Sequence, residues 1–237
     1  MSLLITLCAR GGSKGIPGKN IRLLNEKPLI AYSIDVALRF ATEHNGTVAL
    51  STDDEEIMRV ANDFGLTTDY KRPAYLATDT TGKIDVISDL LNYTEKKVGT
   101  LFNFILDLDI TSPLRTYQDL EHAFGIILPD EQAYNLFSVN NANRNPYFNM
   151  VEQKENGYFG LVKKGDFTTR QSAPGVYDMN ASFYFYRRCF FSDSQKSAIT
   201  DRSLIYIMPH ICFDLDHQID FDFMEFLLLN KKLNFEL

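Results

Sequence analysis

The chain has 237 residues, of which 45% are hydrophobic, and its formal net charge is −7. A chain of this length can bury one substantial core, so we expect a single domain over residues 1–237. The basic residues are scattered, which disfavours extended nucleic-acid binding because that depends on neutralising many phosphates. Any anionic ligand must therefore be held by a local cluster of cations.

The apolar segments of the sequence are short. None approaches the roughly 20 residues that a membrane-spanning helix needs. The chain passes from Met1 directly into an apolar segment without a basic region or a cleavage site, which is typical of a buried strand and not of a signal peptide. These features predict a cytoplasmic protein without a membrane partner. Three cysteines lie in apolar stretches without CxxC spacing, so we expect free thiols and no disulfide or zinc site: Cys8, Cys189 and Cys212.

Strand-like and helix-like segments alternate through the first half of the chain, as expected when parallel strands are joined by crossover helices. The predicted strands are residues 2–9, 47–50 and 100–108. The predicted helices are residues 28–41, 54–64, 81–97 and 116–128. These patterns favour an α/β fold with a mostly parallel central sheet flanked by helices.

The pattern changes between residues 137 and 178, where Asn-rich turns, glycines and short alternating segments such as 158–162 predict β-hairpins outside the main sheet. The chain then returns to the sheet with predicted strands at residues 181–186 and 204–208. A closing helix is predicted at about residues 219–233.

The most informative segment is residues 8–20, which read CARGGSKGIPGKN between the first predicted strand and the first helix. At the carboxyl end of a strand, glycines let backbone N–H groups approach an anion, and Arg10, Lys14 and Lys19 can neutralise a triphosphate. No GKS or GKT opens the helix, so the segment is not a Walker A loop, and the GxGxxG fingerprint is also absent. The alternative is a glycine-rich surface turn with solvated cations, but the glycines and cations at a strand-to-helix junction favour a triphosphate site.

This segment resembles the signature of the CMP-sialic acid synthetases, the acylneuraminate cytidylyltransferase family. Similar strings follow in the same order: STD at residues 51–53, RPAYLATD at 72–79 where the family has RPAELASD, TSPLRT at 111–116, and the aspartate pair of FDLDH at 213–217. The KDO-activating cytidylyltransferases carry a different loop, nearer ARYGSTRLPGKPL. The GGSKG and KN elements therefore favour the enzymes of nine-carbon acidic sugars.

The resemblance implies a Rossmann-like nucleotidyltransferase with Mg²⁺ as cofactor. Its partners would be CTP and an acidic nine-carbon sugar of sialic or legionaminic type, whose anomeric hydroxyl receives CMP as pyrophosphate leaves. The resemblance also implies a homodimer, with an inserted arm at about residues 141–178 that serves dimerisation and sugar binding. Two alternatives are a nucleotidyltransferase for KDO or another sugar and a non-catalytic nucleotide-sugar binding protein. The presence of all the residues that would stabilise the transition state argues against the binding protein, because binding alone does not need them: Arg10, Lys19, Asp214 and Asp216.

The resemblance places the nucleotide on the loop and on RPAYLATD. Arg10 and Lys19 would stabilise the charge that develops at the α-phosphate. Asn20 and Arg72 would hydrogen-bond the cytosine base, although a surface arginine is the alternative for Arg72 taken alone. The full predicted nucleotide set is Ala9, Arg10, Gly11, Gly12, Ser13, Lys14, Lys19, Asn20, Arg72 and Thr78.

Asp214 and Asp216 lie two residues apart, so in an extended segment both carboxylates would point to one face and could share a hard cation. We predict that they bind Mg²⁺ and that Asp216 acts in catalysis together with Arg10 and Lys19. Without the resemblance, a solvated or capping aspartate pair is the alternative. For His217 we expect a solvated or hydrogen-bonded side chain.

Four residues are predicted to contact the sugar. Asp109 stands where the sialic acid enzymes have the glutamine of QPTSPLR, and an ionised carboxylate accepts hydrogen bonds but cannot donate, which indicates a different acceptor sugar; a place in the metal site is the alternative. Arg170 in TTRQ resembles the arginine that contacts the sugar carboxylate, although an arginine in a hairpin is usually exposed. Asn180 resembles the asparagine of a PNG segment, and Tyr177 would line the same pocket.

Overall fold

Strands and helices alternate along the first half of the chain as the sequence predicts. The computed structural model describes residues 1–12, 15–167 and 169–237, without the side chain of Arg170. The strands are β1 (Leu3–Cys8), β2 (Leu23–Leu24), β3 (Lys27–Pro28), β4 (Thr47–Ser51), β5 (Phe104–Leu108), β6 (Asn135–Asn141), β7 (Val151–Gln153), β8 (Phe159–Leu161), β9 (Tyr177–Arg187) and β10 (Ser203–Ile207). The helices are α1 (Leu29–His44), α2 (Glu55–Asp63), α3 (Lys83–Val98), α4 (Tyr117–Ile127), α5 (Arg188–Ser192) and α6 (Gln218–Leu229).

The central sheet has six strands in the order β10, β6, β9, β5, β1 and β4. β1 pairs in parallel with β4 and β5, and β6 pairs in parallel with β10. β9 runs antiparallel between β5 and β6. The prediction of a mostly parallel sheet is therefore confirmed.

Helices cover both faces of this sheet. Leu3, Ile5 and Leu7 of β1 belong to one buried cluster, whereas Leu4 belongs to another. Because successive strand residues point to opposite faces, the two clusters lie on opposite sides of the sheet. Such two-sided burial explains why β5 is buried along its whole length.

The predicted start of the hairpin region is wrong. Residues 137–141 form most of β6, which lies in the main sheet between β10 and β9. Its polar side chains look like turn residues in the sequence, but they find partners within the sheet: Ser138 Oγ donates to Asn180 Oδ1 at 2.6 Å, and Asn180 Nδ2 donates to Asn140 Oδ1 at 2.7 Å. Buried polar groups paired in this way are compatible with a strand.

Residues 142–176 connect β6 to β9 and contain the antiparallel hairpin of β7 and β8. This confirms the predicted hairpin at residues 158–162. We call residues 142–176 the arm. The three cysteines are free thiols, as expected. Among the described residues, no helix has the length and apolar character to cross a bilayer.

Candidate active site

A cleft with a volume of about 440 Å³ lies at the carboxyl ends of β1, β4 and β5. Ligands of open α/β sheets bind outside the carboxyl ends of the strands, so the position is that of a substrate site. The cleft brings together residues from four separate parts of the sequence. Of the predicted site residues, those lining it are Arg10, Lys19, Asn20, Arg72, Thr78, Asp109 and Asp216.

The loop of residues 9–20, which we call the phosphate loop, is held by side chains around it. Gly11 donates its N–H to Asp53 Oδ1 at 3.1 Å, and Asn20 Nδ2 donates to the carbonyl oxygen of Arg10 at 2.9 Å. A Cβ at Gly11 would lie 2.5 Å from Asp54 Oδ2, so the loop passes too close to Asp54 for a larger residue. The predicted ligands Ser13 and Lys14 lie outside the described residues.

Two further predicted nucleotide ligands lie in this loop. Ala9 is buried and donates its N–H to the carbonyl oxygen of Ser51 at 2.9 Å. Gly12 is exposed, and a Cβ there would meet nothing within 4 Å. The start of the loop at Ala9 is therefore fixed against β4, whereas Gly12 has open space around it.

Arg72 is buried, with 6% of its surface exposed. Its Nε donates to Ser51 Oγ at 2.9 Å and its Nη2 to the Ser51 carbonyl oxygen at 2.8 Å. The guanidinium is thus fixed against the end of β4 while it lines the cleft. The alternative of an exposed surface arginine is excluded, and the geometry suits a fixed donor fork.

Arg10 and Lys19, the two cations predicted to contact the α-phosphate, each form an ion pair with a carboxylate in the cleft. Arg10 Nη1 lies 2.6 Å from Asp79 Oδ1, and Lys19 Nζ lies 3.2 Å from Asp216 Oδ1. Ion pairs of this partly exposed kind contribute only about 0–1 kcal/mol to stability. A polyphosphate carrying several charges can therefore replace the carboxylates at small cost.

Asp214 is half-buried, and its Oδ1 has no hydrogen-bond partner in the described chain. Burial, followed by the charges of Asp109 and Asp216, raises the pKa of Asp214 to about 6. A bound cation would relieve this cost, so Asp214 and Asp216 fit a divalent metal. No group of three or more His, Cys, Asp or Glu side chains that could hold a metal occurs among the described residues. Two protein carboxylates, with substrate phosphates and water supplying the rest, are the usual set for Mg²⁺.

The segment carrying Asp216 is anchored by the start of α6. Asp220 Oδ2 accepts the backbone N–H of Asp216 at 2.9 Å and that of His217 at 2.6 Å. The side chain of His217 is exposed, and its Nδ1 lies 3.5 Å from the same carboxylate oxygen. As expected, His217 is a solvated residue, here at the helix N-terminus.

Sequence reasoning missed Lys83, the first residue of α3. Its Nζ lies 2.8 Å from Asp107 Oδ2 and 2.6 Å from Asp109 Oδ2. Asp107 is fully buried, and its Oδ1 accepts a hydrogen bond from Thr6 Oγ1 at 2.8 Å. Burial opposes the charge on Lys83, but the two aspartates raise its pKa well above the ordinary value, so the amine is protonated. A buried aspartate in an apolar strand was the available signal, because it needs a cationic partner.

Both carboxylate oxygens of Asp109 have partners within the protein. Its Oδ1 accepts the N–H and the hydroxyl of Thr111, both at 2.8 Å, and its Oδ2 faces Lys83. Burial opposes ionisation, but Lys83 and Thr111 outweigh it and lower the pKa of Asp109 to about 2. The carboxylate is therefore ionised, and both of its oxygens are engaged before a sugar binds.

Arg115, in the TSPLRT string, is buried and donates hydrogen bonds to several segments of the chain. It donates to Ser33 Oγ at 2.9 Å, Ser182 Oγ at 2.9 Å and the carbonyl oxygen of Ser112 at 2.7 Å, and also to the carbonyl oxygen of Asp109. These bonds join α1, β9 and the turn after β5. Within TSPLRT, Arg115 therefore holds the turn that carries Asp109 in place.

Among the described side chains, Asn180 and Tyr177 do not line the cleft. Asn180 is buried, and its amide is used by Asn140, Ser138 and the N–H of Ser182 within the sheet, so this geometry gives no support to direct sugar binding by Asn180. Tyr177 is 42% exposed at the start of β9. The side chain of Arg170 lies outside the described part of the chain.

A larger cavity of about 730 Å³ lies between α1, α4 and residues 234–237. None of the predicted nucleotide, sugar or metal ligands that the structure describes lines it. We assign the active site to the smaller cleft because the cations, the carboxylates and the carboxyl ends of the parallel strands meet there.

Comparisons with known proteins identify the family of this chain. The fold and the cleft define an α/β protein of nucleotidyltransferase type. The sequence model of the family described as "Cytidylyltransferase" matches residues 4–234. This chain belongs to the cytidylyltransferase family.

Two relatives from Campylobacter match almost the full length. "Post-translational flagellin modification protein B" of Campylobacter coli is 40% identical over 231 residues, which cover 98% of this chain and 97% of the relative. "CMP-N,N'-diacetyllegionaminic acid synthase" of Campylobacter jejuni is 40% identical over 232 residues, with 98% and 97% covered. A solved CMP:2-keto-3-deoxy-manno-octonic acid synthetase complexed with CTP has a TM-score of 0.70 at 16% identity, with 98% of this chain and 100% of that chain covered, and it shares the fold.

Proposed function

We propose that this chain transfers CMP from CTP to the anomeric hydroxyl of an acidic nine-carbon sugar of the legionaminic type. The sugar oxygen forms a bond to the α-phosphorus, the bond from the α-phosphorus to the bridging oxygen breaks, and pyrophosphate leaves. The observation that carries the proposal is one cleft that holds Arg10 and Lys19 together with Arg72 and the carboxylates Asp109 and Asp216. The name of the Campylobacter jejuni relative supports the choice of sugar.

The order of the strands supports a direction for the bound substrates. β1, which leads into the phosphate loop, lies between β4 and β5. Arg72 is fixed at the end of β4, whereas Asp109 follows β5. In this arrangement the cytosine base lies on the β4 side, the phosphates lie above β1, and the acceptor sugar lies on the β5 side.

Arg10 and Lys19 stabilise the charge that develops at the α-phosphate. Asp79 and Asp216 pair with these two cations in the cleft. CTP replaces those carboxylates with the oxygens of a triphosphate, which carries more negative charge in total and also accepts charge-assisted hydrogen bonds. Most of the rate enhancement in phosphoryl-type transfer comes from such positioning and electrostatics.

We assign Asp214 and Asp216 as the ligands of a Mg²⁺ ion. When bound, this metal supplies charge stabilisation at the triphosphate and lowers the pKa of the attacking hydroxyl. Asp220 holds the backbone of Asp216 in place, and Asp214 presents the carboxylate oxygen that lacks a protein partner.

We also propose that two chains associate through the arm. The arm carries large apolar side chains at its surface, and a contiguous exposed apolar region typically marks an interaction site: Phe148, Met150, Val151, Tyr158 and Phe159. Sedimentation equilibrium tests the dimer, and a monomer at micromolar concentration would contradict it.

The proposed dependence on CTP supports a cytoplasmic location for the protein.

The experiment that tests the activity is a CTP-dependent assay of a panel of acidic sugars, with pyrophosphate release and product mass as readouts. The expected product is the CMP conjugate of a diamino nine-carbon acid. Turnover of KDO alone would favour the other sugar nucleotidyltransferases. Tight binding of CTP without any product would favour a nucleotide-sugar binding protein.

A further inference from the structure

Lys83 presents a fixed ammonium group to the cleft. The side chain is 36% exposed, and its Nζ is held between Asp107 Oδ2 and Asp109 Oδ2. An ammonium group has three N–H donors. Lys83 Nζ donates to Asp109 Oδ2 and lies within ion-pair distance of Asp107 Oδ2, so these contacts use at most two of the three. One donor of Lys83 therefore remains for a bound substrate.

The carboxylates beside Lys83 are not available in the same way. Asp107 is fully buried, with Thr6 on its second oxygen. Thr111 donates twice to the second oxygen of Asp109. Of this group, Lys83 is the member that can still donate a hydrogen bond in the cleft, because ionised carboxylates only accept.

The charge of the group indicates the kind of oxygen that Lys83 contacts. One cation stands beside two carboxylates, Asp107 and Asp109, so the group has a net negative charge. A phosphate or a sugar carboxylate would be repelled by it, whereas an uncharged oxygen would not. An amide carbonyl is the strongest uncharged acceptor that an acylated amino sugar offers.

The position of the group indicates which substrate supplies that oxygen. Asp107 and Asp109 belong to β5 and its turn, on the opposite side of β1 from Arg72 at β4. The backbone N–H of Leu215 donates to the carbonyl oxygen of Thr111 at 2.8 Å, which ties this turn to the segment of Asp214 and Asp216. The Lys83 ammonium therefore lies on the acceptor side of the transfer point.

Given the proposed function, we infer that Lys83 donates a hydrogen bond to an acylamido carbonyl oxygen of the acceptor sugar and thereby selects acylated amino sugars. Asp107 and Asp109 are positioning residues that hold the ammonium in place. Because the lysine side chain is already fixed, little conformational freedom is lost when the sugar binds.

A substrate-by-variant cycle tests this inference. The kcat/KM of the wild type and of Lys83→Met is measured with a diacetamido nine-carbon acid and with analogues in which each acetamido group is replaced in turn by hydrogen. For the wild type, one analogue should be roughly tenfold to a hundredfold poorer than the parent sugar. Lys83→Met should lose a similar factor with the parent sugar and little more with that analogue. The KM for CTP should stay within about twofold of the wild-type value.

Two further variants separate this role from a loss of structure. Asp109→Asn keeps the ion pair of Lys83 with Asp107. It should raise the KM for the sugar by a larger factor than it lowers kcat. In the double variant it should add little to the effect of Lys83→Met. Lys97→Met is the control. It removes an exposed ion pair outside the cleft, in which Lys97 Nζ lies 2.7 Å from Asp69 Oδ2, and it should leave the kcat/KM for every sugar unchanged. If Lys83→Met fails to fold because Asp107 loses its partner, Asp109→Asn with the same sugars carries the test.

Two results would overturn the inference: unchanged discrimination between the parent sugar and every analogue in the variants, or a loss confined to the KM for CTP. The failure of the proposed function is a different observation, because the wild type would then produce no CMP conjugate from any of these sugars.

Discussion

Lys19 and Asp216 are 197 residues apart in the sequence, yet Lys19 Nζ lies 3.2 Å from Asp216 Oδ1 across the cleft. The lysine side chain is 16% exposed and the aspartate side chain 65% exposed. A residue assigned to the triphosphate is therefore paired with one assigned to the metal. Binding of CTP with its metal would separate the two, giving each a new partner of opposite charge.

This relationship predicts that Lys19→Met affects rate far more than folding. The pair is partly exposed and contributes about 0–1 kcal/mol to stability, so the melting temperature should change little. The kcat should fall roughly a hundredfold to a thousandfold, as when a preorganised transition-state donor is removed. Pyrophosphate release and a thermal melt measure the two effects. A large loss of stability with a nearly normal kcat would assign Lys19 to the scaffold.

Metal dependence is the second prediction. Asp214→Asn and Asp216→Asn should each lower turnover by orders of magnitude, because the metal contributes electrostatic stabilisation that the protein cannot replace. The fold should survive, since an amide at residue 214 removes both the cost of burying a charge and the repulsion from neighbouring carboxylates, which together raise the pKa of Asp214. Titration of activity with Mg²⁺ and circular dichroism provide the measurements. Full activity in excess EDTA would show that no metal is required.

Nucleotide choice is the third prediction. Arg72 is fixed by Ser51 at the edge of the cleft, so its remaining donors have one orientation toward a base. CTP should be preferred over UTP and GTP, and Arg72→Lys should lower kcat/KM for CTP at least about tenfold, since lysine lacks the planar fork. Competition among the three nucleotides in one assay measures the preference. A higher kcat/KM for UTP than for CTP would show that the base-reading assignment is wrong.

Two adjacent glycines offer a matched pair for the phosphate loop. A Cβ at Gly11 would lie 2.5 Å from Asp54 Oδ2 and 2.9 Å from Asp54 Cβ, whereas one at Gly12 would meet nothing within 4 Å. Gly11→Ala should therefore shift the loop, lower the melting temperature and weaken CTP binding, and Gly12→Ala should leave the melting temperature unchanged. Calorimetric titration with CTP and thermal melts compare the variants. Equal melting temperatures for the two variants would contradict the close packing of Gly11 on Asp54.

Much of the fold and part of the site could be predicted from local patterns. The cleft position of Arg10, Lys19 and Asn20 follows from one stretch of sequence, because the composition of the segment and its place between a strand and a helix are both local features. Lys83 was missed because its partnership with Asp107 joins a helix start to a buried strand, and no local spacing shows such a contact. β6 was missed because the partners of Ser138 and Asn140 come from β9, about forty positions later. Pairing over long sequence separation decides these features, and propensity does not encode it.

The final prediction concerns Asp109, where the sequence departs from the QPTSPLR of the sialic acid enzymes while TSPLR stays the same. Asp109 holds Lys83 and Thr111, so it acts on the sugar through the ammonium group it positions. N-acetylneuraminic acid should be a poorer substrate than a 5,7-diamino nine-carbon acid of the legionaminic type. Asp109→Gln removes one of the two charges that hold Lys83 and places a neutral amide in the cleft. The ratio of kcat/KM values should then shift toward N-acetylneuraminic acid, because the preference for the second acylamido group depends on a fixed donor. Competition between the two sugars in one reaction, read by product mass, measures the ratio. An unchanged preference, or loss of activity toward both sugars as in a metal-ligand variant, would remove Asp109 from sugar selection.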